Sequence, residues 1–352
     1  MTVLVSHSKY YVAVVTAIAL LTSCAGGSST PTTPLASQQN QSHTGKHATS
    51  CPCLYVTNWL GDSVTLYAAG ATGAAKPIQY IHGPRTGLSD PAGIAVDSSG
   101  NMYVANVASS SVTEYAAGAN GNARPIRTIG GSNTGLLLPT GVALNPVNGD
   151  IYVAEGSTAP SNLGFVIVYG ADANGNVAPI GAIGGANTGL ANPWGVVLDA
   201  SGNVFVANLG GGSAHSSSVT VYAAGSVGNV APLRTICGAR TKLDGPYQLV
   251  LDSSSNIHVA NGPYNGDINS LPVYAAGANG NVAPIQTIMG KRTKLDSPEG
   301  IALDGNGNTY AANTQSDTVT IYPASATGNV KPIAMIKGKR TDLDAPEGIA
   351  IR

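Results

Sequence analysis

The apolar positions of this chain fall into short runs that repeat. One run opens on proline and reads Pro91-Ala-Gly-Ile-Ala-Val-Asp97; its prolines return at Pro139, Pro193, Pro246, Pro298 and Pro346. A second, Met102-Tyr-Val-Ala-Asn106, has counterparts at 54–58, 151–155, 204–208, 257–261 and 309–313. A third ends on Tyr67, Tyr115, Tyr169, Tyr222, Tyr274 and Tyr322. A fourth, Arg124-Pro-Ile-Arg-Thr-Ile129, recurs from Lys76, Ala178, Ala231, Ala283 and Lys331. Tyr, Val, Ile and Thr dominate these runs, and polar residues punctuate them, so each predicts a strand. Asp97-Ser-Ser-Gly-Asn101 links the first run to the second, and Ala119-Asn-Gly-Asn122 the third to the fourth. Their Ser-Gly and Asn-Gly pairs supply the positive φ of tight hairpins.

The prolines stand 48 to 54 residues apart. Four short strands per period of about 50 residues predict a propeller blade, and the chain is expected to be all-β. The first strand is lean in Gly, Ile, Ala and Val, which suits a crowded central axis. The tyrosines of the third strand are bulky and belong further out, where blades splay. The repeat starts on a second strand at Leu54 and ends on a first strand, Gly348-Ile-Ala-Ile-Arg352. The C-terminal strand should therefore complete the N-terminal blade, here blade 1, as its innermost strand. That gives six four-stranded blades and no open edge.

Three segments follow. Residues 1–23 read as a signal peptide: Lys9 precedes an apolar run, Tyr10 to Leu21, that is short for a membrane span. Leu21-Thr-Ser-Cys24 resembles the bacterial lipobox, which implies lipidation at Cys24; the alternative is an ordinary cleaved signal with a chance cysteine. Ala25 after the cysteine implies, by the same resemblance, the outer membrane where the cell has one. Residues 24–50, rich in Gly, Ser, Thr, Pro, Gln and Asn, bury too little to fold and form a linker with a reach of roughly 25–30 Å. Residues 51–352 form the propeller. The expected location is the cell envelope, outside the cytoplasm, with the membrane touched through the anchor alone.

Composition narrows the partners. Charged residues make up 10% of the chain and the net charge is −1. No basic field is available for nucleic acid. Cys51, Cys53 and Cys237 remain after Cys24, an odd number in a compartment where disulfides form, and their pairing stays open.

The Pro-x-Gly-Ile-Ala-x-Asp and Asn-x-Tyr-Val-Ala-Asn patterns resemble NHL repeats, and Tyr55-Val-Thr-Asn58 is similar to the YVTN propeller repeat. The resemblance covers about residues 51 to 352. It implies a propeller fold and no single activity, because propellers host binding modules and enzymes alike. NHL repeats usually end the second strand in Asp. Here that residue is Asn five times and Glu155 once.

Candidate chemistry sits where the repeat varies. The residue after each conserved proline enters the first strand at the face carrying the interblade loops, the upper face. Around the ring these are Ala92, Thr140, Trp194, Tyr247, Glu299 and Glu347. Glu299 and Glu347, on blades 6 and 1, together with Asn58 and Asn313 are candidate oxygen ligands for Ca²⁺. Gluconolactonase and regucalcin-like propellers hold a divalent metal with a Glu entering a first strand, and Glu347 matches it by position. The competing reading is that these glutamates are solvated or cap local backbone. Trp194 and Tyr247 are candidates for an aromatic patch, joined by Trp59 from a loop. Arg240, Arg292 and Arg340, each four residues before Asp244, Asp296 or Asp344, are expected to brace their loops as ion pairs. Arg85 carries the same loop position in a fourth copy. His258 stands where other second strands carry Tyr or Phe and is expected to pack.

Two functions are expected to compete. The first is a non-catalytic scaffold binding a protein, peptide or glycan through the upper face, with no cofactor. The second is a Ca-type metal-dependent lactonase or esterase with Glu347 as ligand. The sequence leaves oligomeric state open.

Overall fold

The computed structural model describes residues 53–157, 163–210, 217–264 and 268–352. The signal peptide, Cys24, the linker and Cys51 lie outside the described residues. Strands β1 (Cys53–Asn58), β2 (Ser63–Ala68) and β3 (Gln79–Ile81) belong to blade 1. Blade 2 holds β4 (Pro91–Val96), β5 (Met102–Asn106), β6 (Ser111–Tyr115) and β7 (Arg127–Gly130). Blade 3 holds β8 (Pro139–Leu144), β9 (Ile151–Glu155), β10 (Phe165–Tyr169) and β11 (Gly181–Gly184). Blade 4 holds β12 (Pro193–Leu198), β13 (Val204–Asn208), β14 (Ser218–Tyr222) and β15 (Arg234–Cys237). Blade 5 holds β16 (Pro246–Leu251), β17 (Ile257–Asn261), β18 (Ser270–Tyr274) and β19 (Gln286–Met289). Blade 6 holds β20 (Pro298–Leu303), β21 (Thr309–Asn313), β22 (Thr318–Tyr322) and β23 (Ala334–Lys337), and β24 (Pro346–Ile351) follows.

Six antiparallel sheets result, and β24 is the innermost strand of blade 1, in the order β24-β1-β2-β3. The six-bladed propeller and its closure by the C-terminal strand are as the repeat predicted. Leu54 faces Ile351 and Tyr55 faces Ala350 across the seam. Cys53 and Arg352 extend the seam by exchanging backbone hydrogen bonds of 2.7 and 3.2 Å.

The core lies between blades, because alternate residues of each strand face opposite neighbours. Tyr55, Val64 and Leu66 of blade 1 pack on Ile94, Met102, Val104 and Tyr115 of blade 2. Leu54, Val56 and Tyr67 pack the other way, on Ala302, Ala312 and Val319 of blade 6. The third-strand tyrosines fill the splayed gaps as expected and also tie down loops. Tyr169, Tyr222, Tyr274 and Tyr322 each donate a 2.6 Å hydrogen bond to the carbonyl of a loop threonine: Thr134, Thr188, Thr241 and Thr293.

The connection from third to fourth strand differs from the expected tight hairpin. Its glycine reaches across to the previous blade's outer strand and forms an isolated parallel bridge, as Gly121 does with Ile81 and Gly280 with Ile236. All six seams carry this bridge. An outer strand is an unpaired edge, and covering it with the neighbour's turn satisfies both. The following asparagine completes the seam: Asn281 Oδ1 accepts the Arg240 N–H at 2.8 Å, and Asn329 Oδ1 the Arg292 N–H at 2.8 Å.

Candidate functional site

Each inner strand carries an irregularity directly after its proline. Pro193 faces Asn208 while Gly195 faces Ala207, so Trp194 is an extra residue with no partner. Thr140 and Glu299 are bulged in the same way. In blades 1, 2 and 5 the extra residue falls between Pro346 and Ile349, between Pro91 and Ile94, and between Pro246 and Leu249. A β-bulge bends its strand and re-aims a side chain. Here it accompanies a turn of the variable column inward: Ala92, Thr140, Trp194, Tyr247, Glu299 and Glu347 all line one cavity at the axis.

A ring of glycines sets how close the blades come. Gly93, Gly141, Gly195, Gly300 and Gly348 follow the column residues in five blades. A Cβ on Gly195 would lie 2.4 Å from the Tyr247 carbonyl oxygen, and one on Gly300 2.2 Å from that of Glu347. Blade 5 breaks the ring with Gln248, whose side chain reaches the inner strands of blades 6 and 1. Its Oε1 accepts the N–H of Ile301 at 2.9 Å and of Ile349 at 3.4 Å, and its Nε2 donates to the Ile349 carbonyl at 3.3 Å. Gln248 also lines the cavity. Sequence reasoning passed over it, although glutamine replacing glycine in a repeat was a readable signal. The space left measures about 20 Å³ for the centre of a water-sized sphere, enough for about one water.

The polar groups of this mouth are tightly packed. Trp194 Nε1 donates to Glu347 Oε1 at 3.0 Å. The Trp194 and Tyr247 rings meet edge to face with centroids 5.5 Å apart. Ser297 donates to Glu299 Oε1 at 2.9 Å. The Thr140 hydroxyl sits 3.1 Å from the carbonyls of Ala154 and Pro193. Both glutamates are buried. Burial pushes the Glu347 carboxyl well above the usual range; Glu299 beside it raises it further, and the Trp194 N–H opposes this. Burial raises Glu299 too, against hydrogen bonds from Ser297 and Thr314. Tyr247 is raised by burial and then by both glutamates. Two buried carboxyls in one mouth oppose each other's ionisation.

Other sequence candidates stand elsewhere. Asn58 and Asn313 sit opposite Pro346 and Pro298, where they staple interblade loops to second strands. Asn58 Oδ1 accepts the Asp344 N–H at 3.2 Å and Asn313 Oδ1 the Asp296 N–H at 3.1 Å. Their amide nitrogens donate to Thr65 and Thr320 at 3.3 and 3.1 Å. The expected grouping of Asn58 and Asn313 with the two glutamates is therefore not what the cavity lining contains. Trp59 is half-buried in its loop, with its backbone N–H on the Ala345 carbonyl at 3.0 Å, outside that lining. Its side chain does not join the Trp194–Tyr247 pair.

The Arg–Asp braces are corrected by the structure. Among the described residues Arg127 pairs with Glu114, His258 lies 3.4 Å from Asp252 in a contact that is ionic only when the histidine is protonated, and neither Arg292 nor Arg340 pairs with its aspartate. The loops are held instead by backbone N–H groups on asparagine side chains, which cost no charge desolvation. His258 packs as expected; burial lowers its pKa and Asp252, 3.4 Å away, opposes this. Cys53 is buried and Cys237 half-buried, in blades 1 and 4.

No protein-family model and no curated protein matches this chain. Solved structures do. A protein of unknown function from Bacteroides caccae is 12% identical with a TM-score of 0.61, covering 86% of this chain and 99% of its own. A nidogen/laminin complex gives 16% identity and a TM-score of 0.59, over 86% and 98%. The WD40 propeller domain of Doa1 gives 11% and 0.52, over 83% and 80%. Likeness at such low identity is a likeness of fold: the chain is a six-bladed β-propeller whose structural neighbours include laminin-complex and WD40 propellers.

Proposed function

We propose that this chain is an NHL- and YVTN-type propeller lipoprotein of the bacterial envelope. Its propeller serves as a non-catalytic binding scaffold for a protein, peptide or glycan, approached from the upper face. One observation carries the reading: the six positions where the repeat varies converge on one axial mouth, while positions that repeat make seams. Bulges beside a cavity are how scaffolds present specific side chains. Trp194 and Tyr247 are of the residue types that dominate binding energy at interfaces. The anchor at Cys24 and the linker of residues 24–50 belong to the same proposal and would hold the propeller clear of a membrane.

The rival, a Ca-type hydrolase, has Glu347 and Glu299 in its favour. Asn58 and Asn313 are committed to loop staples, and among the described residues no three His, Cys, Asp or Glu side chains gather as a metal set. Peptide and glycan arrays probed with the full chain test the scaffold. The expected result is a ligand set lost at least tenfold in Trp194→Ala and kept in Ile285→Ser, an exposed side chain just before the outer strand of blade 5, with melting curves confirming that both variants fold. Arrays that retain nothing, or a Trp194→Ala variant that binds unchanged, would overturn it.

A further inference from the structure

The mouth has a consistent chemical bias. Glu299 and Glu347 line it, and Asp90 acts on Glu347 from the loop entering blade 2. Trp194 and Tyr247 form the aromatic wall. Among the described residues no lysine or arginine lines the cavity. Two buried groups there have unused hydrogen-bonding capacity. Glu347 is 4% exposed and gives one oxygen to Trp194, while its Oε2 accepts no hydrogen bond from the described residues. Tyr247 is 9% exposed and its hydroxyl has no hydrogen-bond partner among them. Neither atom is among the fully buried polar atoms left without a partner, so both stay open to a donor that enters the mouth.

We infer that the mouth is a site for one primary ammonium group on a slender chain, such as a lysine side chain of a partner peptide. This rests on reading the mouth as the binding face. An ammonium has three donors and no acceptor. Glu347 Oε2, the Glu299 carboxyl and the Tyr247 hydroxyl oxygen supply three acceptors, and the indole and phenol rings favour an organic cation. Size points the same way: the cavity of about 20 Å³ admits a head the size of a water. A planar guanidinium or a sugar ring is larger. Calcium takes six to eight oxygens, whereas one oxygen of Glu347 is already held by the indole N–H. The incoming cation lets a carboxyl ionise, and its proton leaves to solvent.

The test uses the full chain carrying Trp59→Phe, which leaves Trp194 as its sole tryptophan. Its emission is followed at constant ionic strength against acetyl-Gly-Lys-Gly-amide, the Nε-acetylated twin of that peptide, n-butylammonium chloride and calcium chloride. The expected result is a saturable response to the lysine peptide and to butylammonium, each displacing the other, with none from the acetylated twin. Glu347→Gln and Glu299→Gln should each weaken it at least tenfold. Silence toward both ammonium probes, an equal response to the acetylated twin, or a response to calcium alone would overturn the ammonium site. In each of those cases an array ligand that still depends on Trp194 would leave the scaffold reading standing, so the two fail separately.

Discussion

Glu155 occupies the slot that asparagine holds in the other five second strands. Its Oε1 copies the asparagine oxygen by accepting the Leu137 N–H at 2.8 Å and also that of Leu138. The amide nitrogen it replaces would donate to a third-strand threonine, as Asn106 does to Thr113 at 3.0 Å. In blade 3 that threonine is Ile167, so Glu155 Oε2 is buried without a partner among the described residues. Burial pushes the carboxyl up to about 7, against the two loop N–H groups. An acid raised on folding lowers stability as pH rises. Below the unfolded value of about 4.5 both states are protonated and nothing is lost. Between there and about 7 the unfolded chain ionises first, and above 7 the full loss of about 3 kcal/mol is present. Urea unfolding of Glu155→Gln beside the parent across this range should show the parent losing about 3 kcal/mol more than the variant, which keeps the slope contributed by Glu299 and Glu347. Parallel pH curves would show that Glu155 is ionised without cost.

The elements repeat more uniformly than the residues at the mouth, and the seam shows why. Gly238 has a φ of +108°, and a Cβ there would meet the Asn281 side chain at 2.7 Å. Gly131, Gly185 and Gly290 face Asn176, Asn229 and Asn329 in the same way. The glycine lets the loop turn while the neighbour's asparagine holds it. Gly238→Ala should cost about 1–3 kcal/mol in denaturant unfolding, the range for a strained backbone. Gly277→Ala, with no positive φ and nothing within 4 Å, should stay within about 0.5 kcal/mol. Equal effects would mean that the seam tolerates a side chain.

The whole ring is closed by few residues. Ile349, 2% exposed, joins the cluster between blades 6 and 1. Thr57 bonds the neighbouring inner strands, donating to the Ala92 carbonyl at 2.5 Å and accepting the Gly348 N–H at 2.7 Å. Removing residues 346–352 takes away the inner strand of blade 1, Glu347 and a partner of Gln248. Calorimetry of that truncation should show loss of the single cooperative transition. A melt like that of the full chain would show that closure through β24 is dispensable.

The strands, their order and the closure were legible because they are local and repeated: a period-two pattern, turn residues and six copies of each suffice to place them. The six mouth residues were legible as the column that departs from the repeat. Which of them touch, and with what charge, was decided by the tertiary structure. The bulge after each proline accompanies the turning of that column inward, and the glycine ring brings blades distant in sequence within hydrogen-bonding reach. The same closeness put Trp194 on Glu347 across 153 positions and Gln248 on the inner strands of blades 6 and 1. It also committed Asn58 and Asn313 to loops. Such pairings depend on distances across a closed ring, and no periodicity along one chain encodes them.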